Sequence, residues 1–175
     1  MNEKELTQEF VRRVKAAKIV LDPVTQKSKP LCLMSGKLTS EIAIIGEAPG
    51  EQEVSIGVPF TGPSGQFLWR ELRKVGVSRA DCYVTNVIKR KAATLSDGSK
   101  DPIPKFELEH WEHLLNWELD QLPNLKYVIV LGGVCLGALT GEKSITKWQG
   151  SVFDCTVGHS QRVVSVTATF NPAGS

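Results

Sequence analysis

The sequence has no apolar run approaching the roughly 20 residues of a membrane span, and its charged, amphipathic N-terminus lacks the apolar core of a signal peptide. A cytoplasmic protein with no membrane contact is therefore expected. Paired cysteines are also missing. Cys32, Cys82, Cys135 and Cys155 stand singly, with no Cys-x-x-Cys and no neighbouring histidine at metal-ligand spacing. Reduced structural thiols are the expectation, and Cys82 and Cys135 lie in apolar sequence where a free cysteine packs as a small hydrophobe. Excess charge of one sign is slight: 21 Lys and Arg against 19 Asp and Glu give +2 and a pI of about 8.3. That suits a protein that meets phosphate and is too mild to establish one. A complete Gly-x-x-x-x-Gly-Lys-Ser/Thr loop is absent too, which argues against binding of nucleotide triphosphates.

What is present is globular: 41% hydrophobic and 23% charged residues in a chain of 175, enough for one domain over 1–175 with a real core. Leu6, Phe10, Val14 and Ala17 recur at helical spacing and predict an amphipathic helix over 3–19. Pro, Ser, Lys and Thr then predict a long surface connection over 22–40. Further helices are expected from Ser64 or Gly65 to about Val75, over 106–122 and over 134–139, with strands at 42–45, 82–88, 127–131, 151–156 and 162–168. Residues 90–105 and 144–150 read as loops, and Arg70, Arg73 and Lys74 as a solvated helix face. Strands alternating with helices predict an α/β fold around a mainly parallel sheet.

The chemistry-bearing stretch is 41–64. Ile42, Ala43, Ile44 and Ile45 form a buried strand that stops at Gly46, and a turn carrying Glu47, Glu51, Glu53 and Phe60 follows at its carboxyl end, where ligands bind in open α/β sheets. Gly62-Pro63-Ser64-Gly65 then opens a helix whose first amides can face an anion. Asn86 is a polar residue at the end of the second strand; backbone or ligand can satisfy its amide, and the residues alone leave both open.

These segments come in a recognisable order: Gly46-Glu47-Ala48-Pro49-Gly50, then Gly57-Val58-Pro59-Phe60, Gly62-Pro63-Ser64-Gly65, Thr85-Asn86-Val87-Ile88-Lys89, Ser144-Ile145-Thr146-Lys147 and Asn171-Pro172-Ala173. Together they resemble the uracil-DNA glycosylase superfamily over about residues 41–173, most nearly the class whose thermophile members carry an iron–sulfur cluster. The resemblance implies a three-layer α/β/α sandwich. It also implies hydrolysis of the N-glycosidic bond of uracil, or a related deaminated base, in DNA for base excision repair. Phe60 would stack on an extruded base and Asn86 would pair with uracil O4 and N3–H, the means by which a flipped base is read. The Ala48 amide would donate to the base. Bond cleavage leaves positive charge on the sugar and negative charge on the base, so a carboxylate and fixed donors are needed together. Glu47 is the first candidate for positioning or activating water and Glu53 the second. Asn171 stands where family members usually have a histidine that donates to the base. Ser64, Ser144, Thr146 and Lys147 would meet DNA phosphates, and the basic run Lys89, Arg90, Lys91 and Lys100 would be either a DNA-facing loop or a solvated one.

The cluster-bearing class uses four cysteines. Here Cys32 alone falls in the region of the first pair, and Arg90 and Trp111 stand at the other aligned positions, so no cofactor and no metal is expected, with packing around Trp111 in the cluster's place. Uracil-containing DNA, single- or double-stranded, is the expected partner, for a monomer or part of a larger polypeptide. The end soon after the last motif leaves open a fragment or a domain cut from a longer replication or repair protein. Two other readings stand beside the glycosylase: a catalytically weak or inactive DNA- or base-binding domain, suggested by Asn171, and a small-nucleotide-binding α/β protein.

Overall fold

The computed structural model describes residues 1–17, 30–92, 102–142 and 144–172. In chain order the helices are α1 (Glu3–Ala17), α2 (Glu51–Ile56), α3 (Pro63–Lys74), α4 (Lys105–Asp120), α5 (Gly133–Thr140) and α6 (Ile145–Trp148). The strands are β1 (Ile42–Gly46), β2 (Cys82–Asn86), β3 (Tyr127–Leu131), β4 (Val152–Val157) and β5 (Arg162–Thr169). They form one sheet in the order β2-β1-β3-β5-β4, parallel except for β4, which pairs antiparallel with β5 at an edge.

Each central strand is apolar on both sides because both faces are covered. Ala43, Ile45, Tyr83, Val128 and Val130 point to a core filled by Leu6, Phe10 and Val14 of α1, Trp111, Leu115 and Leu119 of α4, and Leu136 of α5. Ile44, Cys82, Val84 and Leu131 point the other way, onto Leu68 and Trp69 of α3. The expected three-layer α/β/α sandwich results, with α3, among the described residues, forming the thinner layer. Right-handed crossovers explain the split: the chain moves from β1 to β2 through α3 and returns past β1 to β3 through α4, so the two helices lie on opposite faces. Strand order reverses at β1, which puts a ligand crevice at the carboxyl end of that strand. α1 starts in a reciprocal cap, with the Glu5 amide donating to Asn2 Oδ1 and the Asn2 amide to Glu5 Oε2, both at 2.9 Å. Fully burying Leu6, Phe10 and Val14 then contributes about 1.5–3 kcal/mol each as an upper bound.

Several local expectations change. Residues 51–56, read as part of a turn, form α2, because Gly50 and Gly57 punctuate its two ends and the stretch between them is helix-compatible. The stretch 144–150 contains the single turn α6, capped by Ser144 Oγ, which accepts from the Lys147 amide at 3.4 Å. β2 ends at Asn86 instead of Ile88, although the Val87 and Ile88 amides still donate to the Gly46 and Glu47 carbonyls. The connection expected over 22–40 falls partly outside the described residues. Its described part covers the free edge of β2: Ser35 exchanges two backbone hydrogen bonds with Val84, and the Cys32 amide donates to the Lys89 carbonyl, leaving Cys32 fully buried. Lys100 also lies outside the described residues. Among those described, no helix is long and apolar enough to cross a membrane.

Candidate active site

A cavity of about 430 Å³ opens at the carboxyl ends of β1 and β2. Glu47, Ala48, Glu53, Phe60, Ser64, Asn86 and Asn171 all line it, so three stretches far apart in sequence meet there: residues 47–64, from the end of β1 through α2 to the first turn of α3, the end of β2, and the segment after β5. Ser144, Thr146 and Lys147 do not line it; they are exposed on and beside α6, whose following residue Gln149 bridges Ala168 near the end of β5.

Gly46 shows how tightly the parts converge. A Cβ there would stand 2.4 Å from both Phe60 Cζ and Asn86 Oδ1, so only glycine lets the aromatic ring and the carboxamide approach the end of β1 together. Asn86 is 2% exposed, with its side-chain oxygen at this convergence. Asn171 comes in from the far side against Gly132, whose φ is +103° and whose amide donates to the Thr169 carbonyl at 2.8 Å. A Cβ on Gly132 would meet Asn171 Cβ at 3.4 Å.

The two glutamates differ. Glu53 is buried and its Oε1 accepts from the Gly62 amide at 2.8 Å, so its carboxylate caps the start of α3. A Cβ on Gly50 or Gly62 would come within 2.8 or 2.9 Å of its oxygens, which is why glycines flank it. Glu47 is half-buried, and among the described residues its carboxylate has no ion-pair partner. Its charge reaches across to α5: burial, and then Glu47, push the Cys135 thiol well above its ordinary range.

Beneath the cavity lies a charged network. Lys89 is fully buried and its Nζ donates to Thr85 Oγ1 and the Asn86 carbonyl, both at 2.5 Å, and to Glu118 Oε2 at 2.7 Å. Glu118 Oε1 accepts from the Tyr83 hydroxyl at 2.9 Å. Burial lowers the Lys89 pKa against the pull of Glu118, while burial and then Glu118 raise that of Tyr83. Arg90 is likewise buried and makes a bidentate pair with Glu107, at 2.5 and 2.6 Å, to which Trp111 Nε1 adds a third bond at 3.0 Å. The basic run is therefore not a solvent-facing loop at Lys89 and Arg90, because both charges are neutralised inside by glutamates of α4. Of the described members of the run, Lys91 reaches the cavity, where it pairs with Glu51.

An iron–sulfur cluster does not fit these residues. The four cysteines sit on separate elements, namely the segment before β1, the start of β2, α5 and β4, and all are unpaired. Where the resemblance places ligands, a buried guanidinium and an indole N–H converge on one carboxylate, a donor-rich arrangement with no thiolate to offer iron. Among the described residues no group of three or more His, Cys, Asp or Glu is arranged to hold a metal.

Sequence reading missed the residues behind the site. Glu107 and Glu118 fall on the apolar stripe of α4 with Trp111, Leu114 and Leu115, and a carboxylate in such a stripe signals a buried cationic partner. Trp69 and Arg79, which hold the Phe60 backbone, carry no comparable signal, since their acceptors are carbonyls.

The family model described as the uracil DNA glycosylase superfamily matches residues 33–175. A type-4 uracil-DNA glycosylase of Thermotoga maritima is 32% identical over 140 residues, covering 79% of this chain and 67% of that protein. One from Archaeoglobus fulgidus is 30% identical over 148 residues, covering 79% and 68%. A shorter match, 44% identical over 54 residues, covers 31% of this chain and 28% of the type-4 uracil-DNA glycosylase of Pyrobaculum aerophilum. With the family model spanning most of its length, this chain belongs to the uracil DNA glycosylase superfamily.

Proposed function

We propose that this protein is a uracil-DNA glycosylase of DNA repair, hydrolysing the N-glycosidic bond of uracil in DNA and leaving an abasic site. The observation that carries the reading is the meeting of Phe60, Asn86, Glu47 and Asn171 around one cavity at the switch point of the sheet. An extruded uracil lies against the Phe60 ring, and the Asn86 carboxamide, fixed by burial and with its backbone carbonyl held by Lys89, offers an acceptor and a donor side by side to N3–H and O4. The Ala48 amide and the Asn171 side chain supply donors as negative charge collects on the leaving base. Glu47 positions the attacking water and stabilises the positive sugar. Glu53, already engaged with the Gly62 amide, takes the supporting part of holding the first turn of α3 toward the cavity.

Ser64 and the α3 amides meet the phosphate of the flipped nucleotide, and Ser144, Thr146 and Lys147 meet the strand farther along, since phosphate contacts position while base contacts specify. Four unpaired thiols accord with a reducing, cytoplasmic setting. We take residues 1–175 as a single glycosylase-like domain that engages single- or double-stranded DNA as a monomer or within a larger polypeptide.

The test is single-turnover excision from oligonucleotides bearing one uracil or one cytosine. Asn86→Ala should narrow the discrimination between the two bases while general DNA affinity stays near wild type. Glu47→Gln should slow excision without weakening binding. Equal loss of affinity for every oligonucleotide with Asn86→Ala would make that residue structural and sink the assignment. Because Asn171 stands where the family resemblance implies a histidine, a weak-turnover binding domain is the second reading; binding without any abasic product would favour it.

A further inference from the structure

Phe60 has a φ of +55°, a left-handed backbone that a bulky residue adopts only when its surroundings impose it. The surroundings are specific. Its carbonyl accepts from Trp69 Nε1 at 3.1 Å and from Arg79 Nη1 at 3.2 Å, and the preceding Pro59 carbonyl accepts from Arg79 Nη2 at 2.6 Å. Nη2 also donates to Ser35 Oγ at 3.1 Å, tying the same guanidinium to the segment on the edge of β2. The guanidinium stands 4.9 Å from the centre of the Trp69 ring, so the two donors brace each other. Gly65 completes the seat: a Cβ there would lie 2.1 Å from the Phe60 carbonyl oxygen.

The root of Arg79 is fixed as well. It opens a single 3₁₀ turn, Arg79–Asp81, held by a reciprocal cap in which Asp81 Oδ2 accepts from the Ser78 amide at 3.0 Å and the Ser78 hydroxyl at 2.6 Å. Among the described residues no carboxylate forms an ion pair with Arg79. Its planar donors are instead aimed at two consecutive peptide carbonyls, and fixing those two peptide planes fixes the direction of the Phe60 Cα–Cβ bond. That direction carries the ring over Gly46 and beside Asn86 Oδ1.

We propose that Arg79 and Trp69 are positioning residues that hold Phe60 in its left-handed conformation, so that the stacking surface stands ready before the base arrives. The inference rests on the reading of Phe60 as the stacking residue. Without the clamp the backbone relaxes toward negative φ and the ring leaves its place over Gly46.

A double-mutant cycle tests it, read as single-turnover uracil excision from a single-stranded oligonucleotide and as affinity for the same oligonucleotide carrying an abasic site. Phe60→Ala should slow excision by roughly 10- to 100-fold, the scale of losing one base–aromatic stack. Arg79→Ala should slow it about tenfold, and Trp69→Phe, which keeps the ring and removes the donor, about threefold, with abasic-site affinity unchanged in both, on the expectation that coupled residues act as a unit. In the Phe60→Ala background, Arg79→Ala should cost no more than about twofold further, because the group it positions is gone. Losses that multiply in the double variant, or full activity in Arg79→Ala, would overturn the clamp. Arg79→Lys, which keeps the charge but not the planar fork, serves if Arg79→Ala does not fold; wild-type excision by it and by Trp69→Phe would equally overturn the clamp. Wild-type excision by Phe60→Ala is a different failure, one that removes the stacking role and the clamp with it.

Discussion

Replacing Glu118 with leucine tests whether the buried network beneath the cavity is held by charge. Glu118 and Lys89 are both 0% exposed and meet at 2.7 Å, so removing the carboxylate leaves an ammonium in the core with only Thr85 Oγ1 and the Asn86 carbonyl as acceptors. Breaking one half of such a pair costs about 3–5 kcal/mol. At about 2–4 °C per kcal/mol for a chain of this size, the melting midpoint should fall by roughly 6–20 °C. Urea titration followed by tryptophan fluorescence, with calorimetry for the midpoint, measures both. Adding Lys89→Met and Tyr83→Phe removes the orphaned partners together, and the triple variant should recover most of the loss, since an apolar replacement of similar volume is often neutral or better. It should nevertheless excise uracil more slowly than wild type, because the Asn86 carbonyl no longer has Lys89 as its donor. A loss below about 1 kcal/mol in Glu118→Leu, on the scale of an exposed pair, would refute the reasoning.

Gly46→Ala should cut excision on the order of a hundredfold, the scale of a misplaced reacting group, because its methyl would displace the Phe60 ring or the Asn86 carboxamide; unchanged kinetics in a folded variant would contradict that packing. Asn171→His should speed single-turnover excision and Asn171→Ala should slow it by less than the roughly 2.7–4 kcal/mol of a whole oxyanion donor, whereas equal rates for all three would place residue 171 away from the reacting base. Burial, then Glu53, pushes the Cys32 thiol up to about 11, and burial, then Asp81, does the same for Cys82. Both folded values lie above the ordinary 9.0, so the native state holds protons that the unfolded chain releases. Their stabilisation is complete below about pH 9 and declines as pH rises through about 11. The difference in urea stability between wild type and a Cys32→Ala, Cys82→Ala variant should shrink over that window; a difference that grows would reverse the sign.

Much of the fold could be read from periodicity. The run Ile42–Ile45, the stripe of Leu6, Phe10 and Val14, and the apolar face of α4 each announce an element and the side it buries, because a covered sheet demands uninterrupted apolar strands. α2 escaped because six residues between two glycines are too short for a period to show. The meeting of the Gly46 turn, Asn86 and Asn171 was accessible only through ordered motifs, since no local pattern says that the ends of β1, β2 and β5 converge. Lys89 and Arg90 were misplaced for a physical reason: cations beside a turn are usually solvated, and only Glu118 and Glu107, well along the chain on a helix, pull them inside. Arg79 was invisible because its acceptors are backbone carbonyls, which every residue possesses.

The most direct measurement is release of free uracil from an oligonucleotide containing a single deoxyuridine, followed by detection of the alkali-labile abasic site. The wild-type protein should release one uracil per modified strand without added metal, leave the matched thymidine and cytidine strands intact, and lose the activity on Glu47→Gln, Asn86→Ala substitution. Tight binding of the uracil strand with no released base, or equal cleavage of all three strands, would contradict the account.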